Sequence, residues 1–429
     1  MIHPDAIPSL VFADHQGNIT DFSSLNMAGM SGGQFFQPTL EDLIPLPEGS
    51  ELFVLPGRLP VGYDQATGEP LLVEENPYQP GDGIQAVAAF MSPAHTAILN
   101  SAYQTQDSSK APRLPLFAYT AVGWHQGRFW VAAFRSDPDK RQDACQFDQA
   151  VITRKTRKKL KENSNNRLIQ HLGKCCLTYG CPAARNYFLG RWEAPLPTSP
   201  ICNARCVGCI SLQPAGSCSA TQDRIRFVPT AQEIAAVAIP HLQTAEHAIV
   251  SFGQGCEGEP LLQAQVIEEA IHLIRKKTAR GAINLNSNSS LPQAVEILAN
   301  AGLDSLRVSL NSAQDLFHSR YYRPVGFTLT DVKESIKIMK RANRFVSLNY
   351  FIQPGVTDSR EEFEALTHLL ETCRPDLIQL RNLNMDPEWY LQTLDFHPTE
   401  KPLGMRSWLL QLQNRFPTLR LGYFNPVLS

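Results

Sequence analysis

Three cysteines lie close together near the middle of the 429-residue sequence, at Cys202, Cys206 and Cys209. Their C-x3-C-x2-C spacing places three soft thiolates on one short loop, where they can bind three corners of an iron–sulfur cube. The run has no fourth cysteine, whereas a purely electron-carrying cluster has four thiolate ligands, so one iron would stay open to another ligand. The alternative is a structural zinc site that takes Cys218 as its fourth ligand.

A second motif follows the next apolar strand, in the segment IVSFGQGCEGEPLL, where Gly258, Glu259 and Pro260 are consecutive. Together with the cysteine triplet, this motif resembles the radical S-adenosylmethionine (radical SAM) superfamily over about residues 195–390. In that superfamily, a Gly-Glu-Pro element binds the amino group of the SAM methionine. The first 190 residues resemble no known family.

The same segment also satisfies G-x-G-x-x-G, the pattern of a dinucleotide-binding turn, from Gly253 to Gly258. That fingerprint requires an acidic residue about 20 positions later, at the end of the following strand, to bind the ribose. Here the following strand, AINLNSN, ends in Asn and Ser, and Pro260 comes directly after the glycines. The cysteine triplet would also have no role in a nucleotide fold, so the first interpretation is favoured.

The resemblance implies a mechanism. An open [4Fe–4S] cluster on the triplet would chelate the amino and carboxylate groups of SAM, and an electron from a flavodoxin- or ferredoxin-like donor would cleave the bond between sulfur and C5′. The resulting 5′-deoxyadenosyl radical would abstract hydrogen from a peptide or protein, an RNA or a small metabolite. The alternative function is a non-catalytic zinc- or iron–sulfur-binding regulatory protein on a barrel scaffold.

Polar residues at strand ends resemble further SAM-binding residues of the superfamily; they are Asn286, Asn288, Ser309 and Asn311. Asn349 and Asn382 occupy equivalent ends of later strands. Asparagine at a strand end is also common for turn chemistry alone. The sequence departs from the superfamily at Gly208, where an aromatic residue often packs near adenine, so this contact would come from elsewhere, such as Ile210.

The remaining cysteines carry weaker signals. A second, auxiliary iron–sulfur cluster is one interpretation of the group Cys175, Cys176 and Cys181, with Cys145 upstream; packing in a helical segment is the other. Cys256 lies inside the SAM-binding motif, where it is a candidate hydrogen donor or ligand, or simply lines the loop. No other residue is assigned a catalytic role. Cys373 is expected on a helix, with its side chain buried in the protein core.

Regular alternation of strands and helices begins near residue 200 and predicts about six parallel βα units. Thr230 and Glu233 form a capping box at the start of one helix, and Gly302 ends another. The predicted fold class is α/β, a partial (β/α)6 TIM-like barrel with a β-rich N-terminal module. In such folds, functional residues lie at the carboxyl ends of the strands.

The sequence predicts three regions. Residues 1–150 hold short stretches of alternating apolar and polar residues between turn signals, which indicate a β-rich module. This module would cover the site, dock a substrate or regulate the enzyme. Residues 151–195 form a basic, Cys-containing helical bridge, and residues 196–429 form the radical SAM barrel.

Composition excludes several classes of protein. The net charge, 39 − 41 = −2, excludes a globally basic nucleic-acid binder. The basic run 154–161 would suit RNA, but a solvated helix face is the favoured explanation. No apolar run approaches the roughly 20 residues of a membrane span, and the N-terminus lacks the features of a signal peptide. Nine of the ten cysteines lie between Cys145 and Cys256, which favours metal or redox chemistry over disulfides. The lack of a membrane span and of a signal peptide predicts a cytoplasmic protein, and the resemblance to the radical SAM superfamily implies that it is oxygen-sensitive.

Overall fold

The computed structural model describes residues 4–107, 111–215 and 217–428. The N-terminal region consists of short strands, as its alternating sequence predicts. They are β1 (Ser9–Ala13), β2 (Ile19–Met27), β3 (Gly29–Ser31), β4 (Gln34–Phe36), β5 (Leu43–Pro45), β6 (Glu51–Leu55), β7 (Arg58–Asp64), β8 (Pro70–Leu72), β9 (Gln85–Phe90), β10 (His95–Ala97), β11 (Asn100–Ser101), β12 (Tyr103–Thr105), β13 (Val122–His125) and β14 (Arg128–Arg135).

Helices and strands alternate through the rest of the chain. They are α1 (Gln149–Glu162), α2 (Arg167–Leu177), α3 (Pro182–Leu189), β15 (Glu193–Pro195), α4 (Ala231–Thr244), β16 (Ile249–Phe252), α5 (Ala264–Arg275), β17 (Ala282–Ser287), α6 (Pro292–Ala301), β18 (Ser305–Leu310), α7 (Asp315–Tyr322), α8 (Leu329–Arg341), β19 (Phe345–Ile352), α9 (Arg360–Cys373), β20 (Leu377–Asn382), α10 (Pro387–Leu394), α11 (Met405–Arg415) and β21 (Arg420–Gly422). Short 3-10 helices lie at Leu40–Asp42, Ala144–Gln146 and Pro260–Gln263.

The chain divides into two compact units that interleave along the sequence. The first comprises Met1–Ala144, Phe351–Glu364 and Leu380–Pro417. The second comprises Cys145–Tyr350, Ala365–Gln379 and Thr418–Ser429. The functional division into regions 1–150, 151–195 and 196–429 stays a prediction.

Antiparallel strands dominate the first unit. Strands β10, β14, β13, β1, β2, β7 and β12 pair in that order within an 11-stranded sheet, and β11, β3 and β4 form a three-stranded sheet. Alternate residues of neighbouring strands pack one core, which includes Val11, Val87 and Val131. The predicted β-rich N-terminal region is thereby confirmed.

The second unit is built on a seven-stranded sheet in which β15 to β21 follow one another in chain order. Neighbouring strands are parallel, as in the pairing of Ser251 with Asn284. Strands β16 and β17 are buried along their whole length, because helices cover a sheet of this kind. Over the described residues the strand order ends at β15 and β21 without closing, which agrees with the predicted partial barrel in an α/β fold.

Local signals in the sequence act as expected at the helix ends. The side chains of Thr230 and Glu233 form the reciprocal capping box at the start of α4. Gly302 ends α6 in the left-handed conformation.

Asn425 links two strands of the seven-stranded sheet through its side chain. The Nε2 of Gln379 on β20 donates to Asn425 Oδ1 at 2.9 Å, and the Nδ2 of Asn425 donates to Glu193 Oε1 on β15 at 3.1 Å.

None of the helices in the described part of the chain combines the length and the apolar character that a membrane span requires.

Candidate functional site

The three cysteines of the triplet lie on the long loop between β15 and α4, residues 196–230, which we call the cysteine loop. Its backbone is anchored along the C-terminal turn of α7. The N–H of Arg205 donates to Tyr322 O at 2.9 Å, and the N–H of Val207 donates to Tyr321 O at 3.0 Å. These bonds fix the path of the loop between the first and the third cysteine.

The three thiols lie within electrostatic reach of one another. Burial raises the pKa of the Cys206 thiol, and charges on Cys209 and Cys202 raise it further. The Arg224 guanidinium approaches Cys209 Sγ at 3.4 Å, and its Nε donates to Ser211 Oγ at 3.1 Å. A cation beside a sulfur favours the thiolate, which is the form that binds metal. The donor set is therefore soft, grouped and partly buried, as an iron–sulfur cluster requires.

A second backbone segment, residues 253–260, carries the Gly-Glu-Pro motif and is named here the Gly-Glu-Pro loop. The N–H of Gly258 donates to Ser199 O at 2.7 Å, and the N–H of Glu259 donates to Ile201 O at 2.8 Å. A Cβ atom at position 258 would lie 2.0 Å from Ile201 O, far inside van der Waals contact. Position 258 therefore requires glycine for a close approach to the cysteine loop.

Gly253 meets the end of the neighbouring strand in the same way. A Cβ atom there would lie 1.6 Å from Asn286 O, and the residue adopts a φ of +74°. Two glycines of the G-x-G-x-x-G pattern thus have packing roles, Gly253 against the end of β17 and Gly258 against the cysteine loop.

The Glu259 side chain points into the protein and is only 3% exposed. Its Oε1 accepts from Ser287 Oγ at 2.6 Å and from Leu261 N at 3.0 Å, and its Oε2 accepts from Asn288 N at 2.9 Å. Burial raises the pKa of this carboxyl to about 7. No Lys, Arg or His of the described residues pairs with it, so a cationic group of a ligand would find an uncompensated buried carboxylate.

The predicted residues Asn286 and Asn288 differ in their contacts. The amide of Asn288 donates to Asn203 Oδ1 at 2.9 Å, and Asn203 in turn donates to Ser290 Oγ at 2.9 Å, so Asn288 holds the cysteine loop. Asn286 Oδ1 accepts from Asn284 Nδ2 at 2.8 Å. Its own Nδ2 is buried and has no hydrogen-bond partner among the described residues, which suits a donor that awaits a ligand.

The predicted residues on later strands are less uniform. Ser309 is half-buried and lies opposite Asn349 in the register of β18 and β19. Asn311 is buried, and its Nδ2 donates to Phe317 O at 3.2 Å. Asn382 does not offer its side chain to a ligand, because its amide is hydrogen-bonded to the backbone of His95 and Ala97 in the first unit. Pro260 is buried at the start of the 3-10 helix that follows Glu259.

A family model of the radical SAM superfamily matches residues 196–370. These residues form a radical SAM domain. Its range contains the triplet and the Gly-Glu-Pro motif, so the predicted superfamily is confirmed for this domain. The superfamily also implies the predicted [4Fe–4S] cluster and SAM as cofactors.

Several solved structures are similar to the chain at low identity. A radical SAM methyltransferase from Sphaerobacter thermophilus is 17% identical, with 48% of this chain and 63% of that chain covered and a TM-score of 0.35. SuiB of Streptococcus suis bound to the precursor peptide SuiA is 13% identical, with 55% and 50% covered and a TM-score of 0.37. The FeFe-hydrogenase maturase HydG from Carboxydothermus hydrogenoformans is 15% identical, with 63% and 69% covered and a TM-score of 0.36.

These TM-scores are too low to bear on the activity or the substrate of this chain. The chain spans about half to two thirds of the length of the first two structures. No curated protein matches the sequence.

Sequence reasoning missed Glu257, a further buried carboxylate of the radical SAM domain. Its Oε2 accepts from the N–H groups of Thr198 and Ser199 at 2.8 and 2.9 Å, and its Oε1 accepts from Gln254 N at 2.7 Å. Glu257 therefore joins the start of the cysteine loop to the Gly-Glu-Pro loop. Nothing in the sequence marks it, because its three donors are backbone groups, two of them almost 60 residues away.

Replacing Glu257 by alanine should destabilise the domain, because two buried N–H groups and one half-buried N–H group would lose their acceptor. One unsatisfied buried group costs about 1–3 kcal/mol, so we expect a loss of roughly 3 kcal/mol or more in the free energy of unfolding, measured in urea. Glu296→Ala, on the exposed side of α6, is the matched control and should change it little. Equal stability of the two variants would contradict the structural role of Glu257.

The cysteines that were candidates for a second cluster have different surroundings in the structure. Cys175 lies beside Cys256 and His171, with 3.6 Å between Cys175 Sγ and His171 Nε2. A hydrogen bond from Cys256 lowers the pKa of the Cys175 thiol. Cys176 points instead to Thr156 Oγ1 at 3.4 Å, and Cys145 is exposed. The second cluster on Cys175, Cys176 and Cys181 stays a prediction, while Cys373 is buried on α9 as expected.

One set of ligand atoms in the described part of the chain has the close spacing of a single metal ion, and it contains neither the triplet nor Cys218. The sulfur of Cys218 contacts Ser217 Oγ at 4.0 Å. Among the described residues, this arrangement gives no support to a zinc site built from the triplet and Cys218.

Proposed function

We propose that this chain cleaves SAM reductively at a [4Fe–4S] cluster on Cys202, Cys206 and Cys209 and abstracts hydrogen from a substrate. The observation that carries the proposal is the pair of backbone hydrogen bonds that joins the cysteine loop to Gly258 and Glu259. They bring the Glu259 carboxylate near the triplet: burial raises the pKa of the Cys202 thiol, and the charge of Glu259 raises it further.

The cluster, when bound with SAM and reduced, supplies the electron that releases the 5′-deoxyadenosyl radical for hydrogen abstraction. The residues of the chain would bind the cluster and SAM and orient them. The three thiolates would hold the cluster, and Arg224 stabilises charge on Cys209. Glu259 would accept from the amino group of SAM, and Asn286 Nδ2 would donate to a polar atom of the same ligand. Gly258, Ser309, Asn311 and Asn288 would complete the binding surface, with Pro260 fixing the loop.

Burial of these groups has a chemical purpose. Glu259 and Asn286 are 3% and 4% exposed, so water has little access to the polar atoms that face the ligand. Exclusion of water strengthens the electrostatic interactions of such a site and protects a reactive species from side reactions.

Radical SAM enzymes need a reductant and a substrate. We infer a flavodoxin- or ferredoxin-like electron donor. We also infer a cytoplasmic location, which agrees with ten free cysteines. The substrate class stays open among peptide or protein, RNA and small metabolite, with RNA not favoured by the net charge of −2.

The proposal is tested on anaerobically purified protein that is reduced in the presence of SAM. The wild type should form 5′-deoxyadenosine, and Glu259→Gln should form far less while it keeps its iron. A glutamine cannot accept from both Leu261 N and Asn288 N, and it removes the anion that a SAM ammonium would meet. Since a hydrogen bond to a charged group contributes about 1.5–3 kcal/mol, we expect roughly 10- to 100-fold weaker SAM binding.

Glu296→Gln, which alters an exposed carboxylate of the same domain, should bind SAM like the wild type. Unchanged SAM affinity in Glu259→Gln would contradict the placement of the amino group. A colourless wild type that forms no 5′-deoxyadenosine would overturn the proposal and favour the non-catalytic regulatory alternative.

A further inference from the structure

A buried set of three metal-ligating side chains lies outside the cysteine triplet. His171, Cys175 and Cys256 present one nitrogen and two sulfur atoms that all lie within 4.8 Å of one another. Both cysteines are buried, and the histidine is half-buried. We propose that these three residues bind a single zinc ion.

The elements of the fold bring these side chains together. His171 and Cys175 are four residues apart on α2, so they lie one above the other on the same face of the helix. Cys256 comes from the Gly-Glu-Pro loop, where its carbonyl accepts from Ile225 N at 2.7 Å. The ring of Phe227 packs edge-on against the His171 imidazole, with 6.4 Å between the ring centroids. All three side chains are thus held by separate packing or hydrogen bonds.

The distances favour one ion over a cluster. Zinc lies about 2.3 Å from a thiolate sulfur and about 2.0–2.1 Å from a histidine nitrogen, so two such ligands of a tetrahedral ion are separated by about 3.6 Å. The separation of Cys175 Sγ and His171 Nε2 is 3.6 Å. Thiolates around an iron–sulfur cube bind different iron atoms and stand farther apart than the ligands of one ion.

The chemistry of the donors agrees with zinc. Imidazole and thiolate are its preferred ligands, and no carboxylate belongs to the set. Three protein ligands leave one tetrahedral position for water or for Cys181, whose N–H donates to Cys175 O at 3.1 Å. Cys176, the immediate neighbour of Cys175, is excluded because its sulfur contacts Thr156 instead.

The site would connect two parts of the second unit. Helix α2 belongs to the segment before the radical SAM domain, whereas Cys256 is two residues before Gly258 in the Gly-Glu-Pro loop. Zinc would therefore fasten this loop to α2 independently of the cluster, and it would make Cys256 a ligand in place of a hydrogen donor.

The test is the zinc content of the full chain, measured by inductively coupled plasma mass spectrometry. The protein is purified anaerobically from cells grown in zinc-supplemented medium. The wild type should retain about one zinc ion per chain, and Cys175→Ala and His171→Gln should each lose at least nine-tenths of it. Cys176→Ala is the matched control, because it removes a buried thiol from the next position of the same helix, and it should retain the zinc.

Iron content separates this proposal from the proposed function, since loss of zinc in Cys175→Ala should leave about four iron atoms per chain at the triplet. Cobalt(II) titration of the wild type keeps the proposal testable if a variant fails to fold, because thiolate ligation gives the ion a charge-transfer band. A wild type without zinc or cobalt binding would overturn the site, as would equal zinc loss in Cys176→Ala. Iron above four per chain that falls in Cys175→Ala would overturn it in favour of a second cluster.

Discussion

Cys206→Ala should purify without its iron–sulfur cluster and form no 5′-deoxyadenosine from SAM. Two thiolates, those of Cys202 and Cys209, would remain, and they can bind only two irons of a cube whose open iron has no protein ligand. We expect iron to fall from about four atoms per chain to a trace, together with the brown colour. The measurements are iron content, visible absorption and product formation under anaerobic reduction.

Cys218→Ala is the matched control, because this thiol lies on the same cysteine loop but contacts Ser217 instead of belonging to the triplet. It should keep the iron and the activity. If Cys218→Ala lost metal to the same extent as Cys206→Ala, the four-cysteine zinc alternative would replace the open cluster. Iron retained in Cys206→Ala would contradict the assignment of the ligand.

Gly258→Ala should disrupt SAM binding although it adds a single methyl group. The new Cβ would lie 2.0 Å from Ile201 O and 3.2 Å from Cys202 N, and both are backbone atoms that cannot rotate away. Overpacking of this kind costs about 1–3 kcal/mol or more, so one of the two loops must move. Movement of either loop breaks the bond from Gly258 N to Ser199 O and displaces Glu259 from the triplet. We expect at least a tenfold loss of SAM affinity, measured by calorimetry under anaerobic conditions.

Gly83→Ala provides the comparison. A Cβ at Gly83 would meet no atom within 4 Å, and the residue does not adopt a left-handed conformation. This variant should bind SAM as the wild type does and should unfold at the same urea concentration. Wild-type SAM affinity in Gly258→Ala would show that the close approach of the two loops is not needed for binding.

Local patterns predicted most of the second unit. The apolar segments AINLNS and FVSLNYFI became β17 and β19 with the expected bounds, because a parallel sheet covered by helices buries both faces of each strand. The capping box at Thr230 and the glycine at 302 marked helix ends through interactions with their nearest neighbours. The triplet and the Gly-Glu-Pro motif were visible for the same reason, since each is a short run of residues.

Features built from distant residues could not be predicted in this way. His171 has no sequence signal as a ligand, because Cys256 lies 85 positions later and only the fold brings the two together. Glu257 accepts from backbone N–H groups, which any sequence would supply, and Asn203 bonds the side chains of Asn288 and Ser290, which lie more than 80 positions later. For Asn382 the sequence pattern pointed to a contact that the structure does not show. Its position at a strand end is typical of a ligand-binding residue, but its amide is hydrogen-bonded to the backbone of His95 and Ala97.

The interleaving of the two units has a consequence for biosynthesis. The ribosome makes the β-rich strands first, but their unit also contains Leu380–Pro417, so it lacks part of its own structure until that segment has emerged. The second unit waits longer still, because Asn425 bridges Gln379 and Glu193. Domains usually fold as they leave the ribosome, in order from the N-terminus. Here neither unit can finish in that order, so both must complete their folding almost together, only after their last segments, Leu380–Pro417 and Thr418–Ser429, have been made.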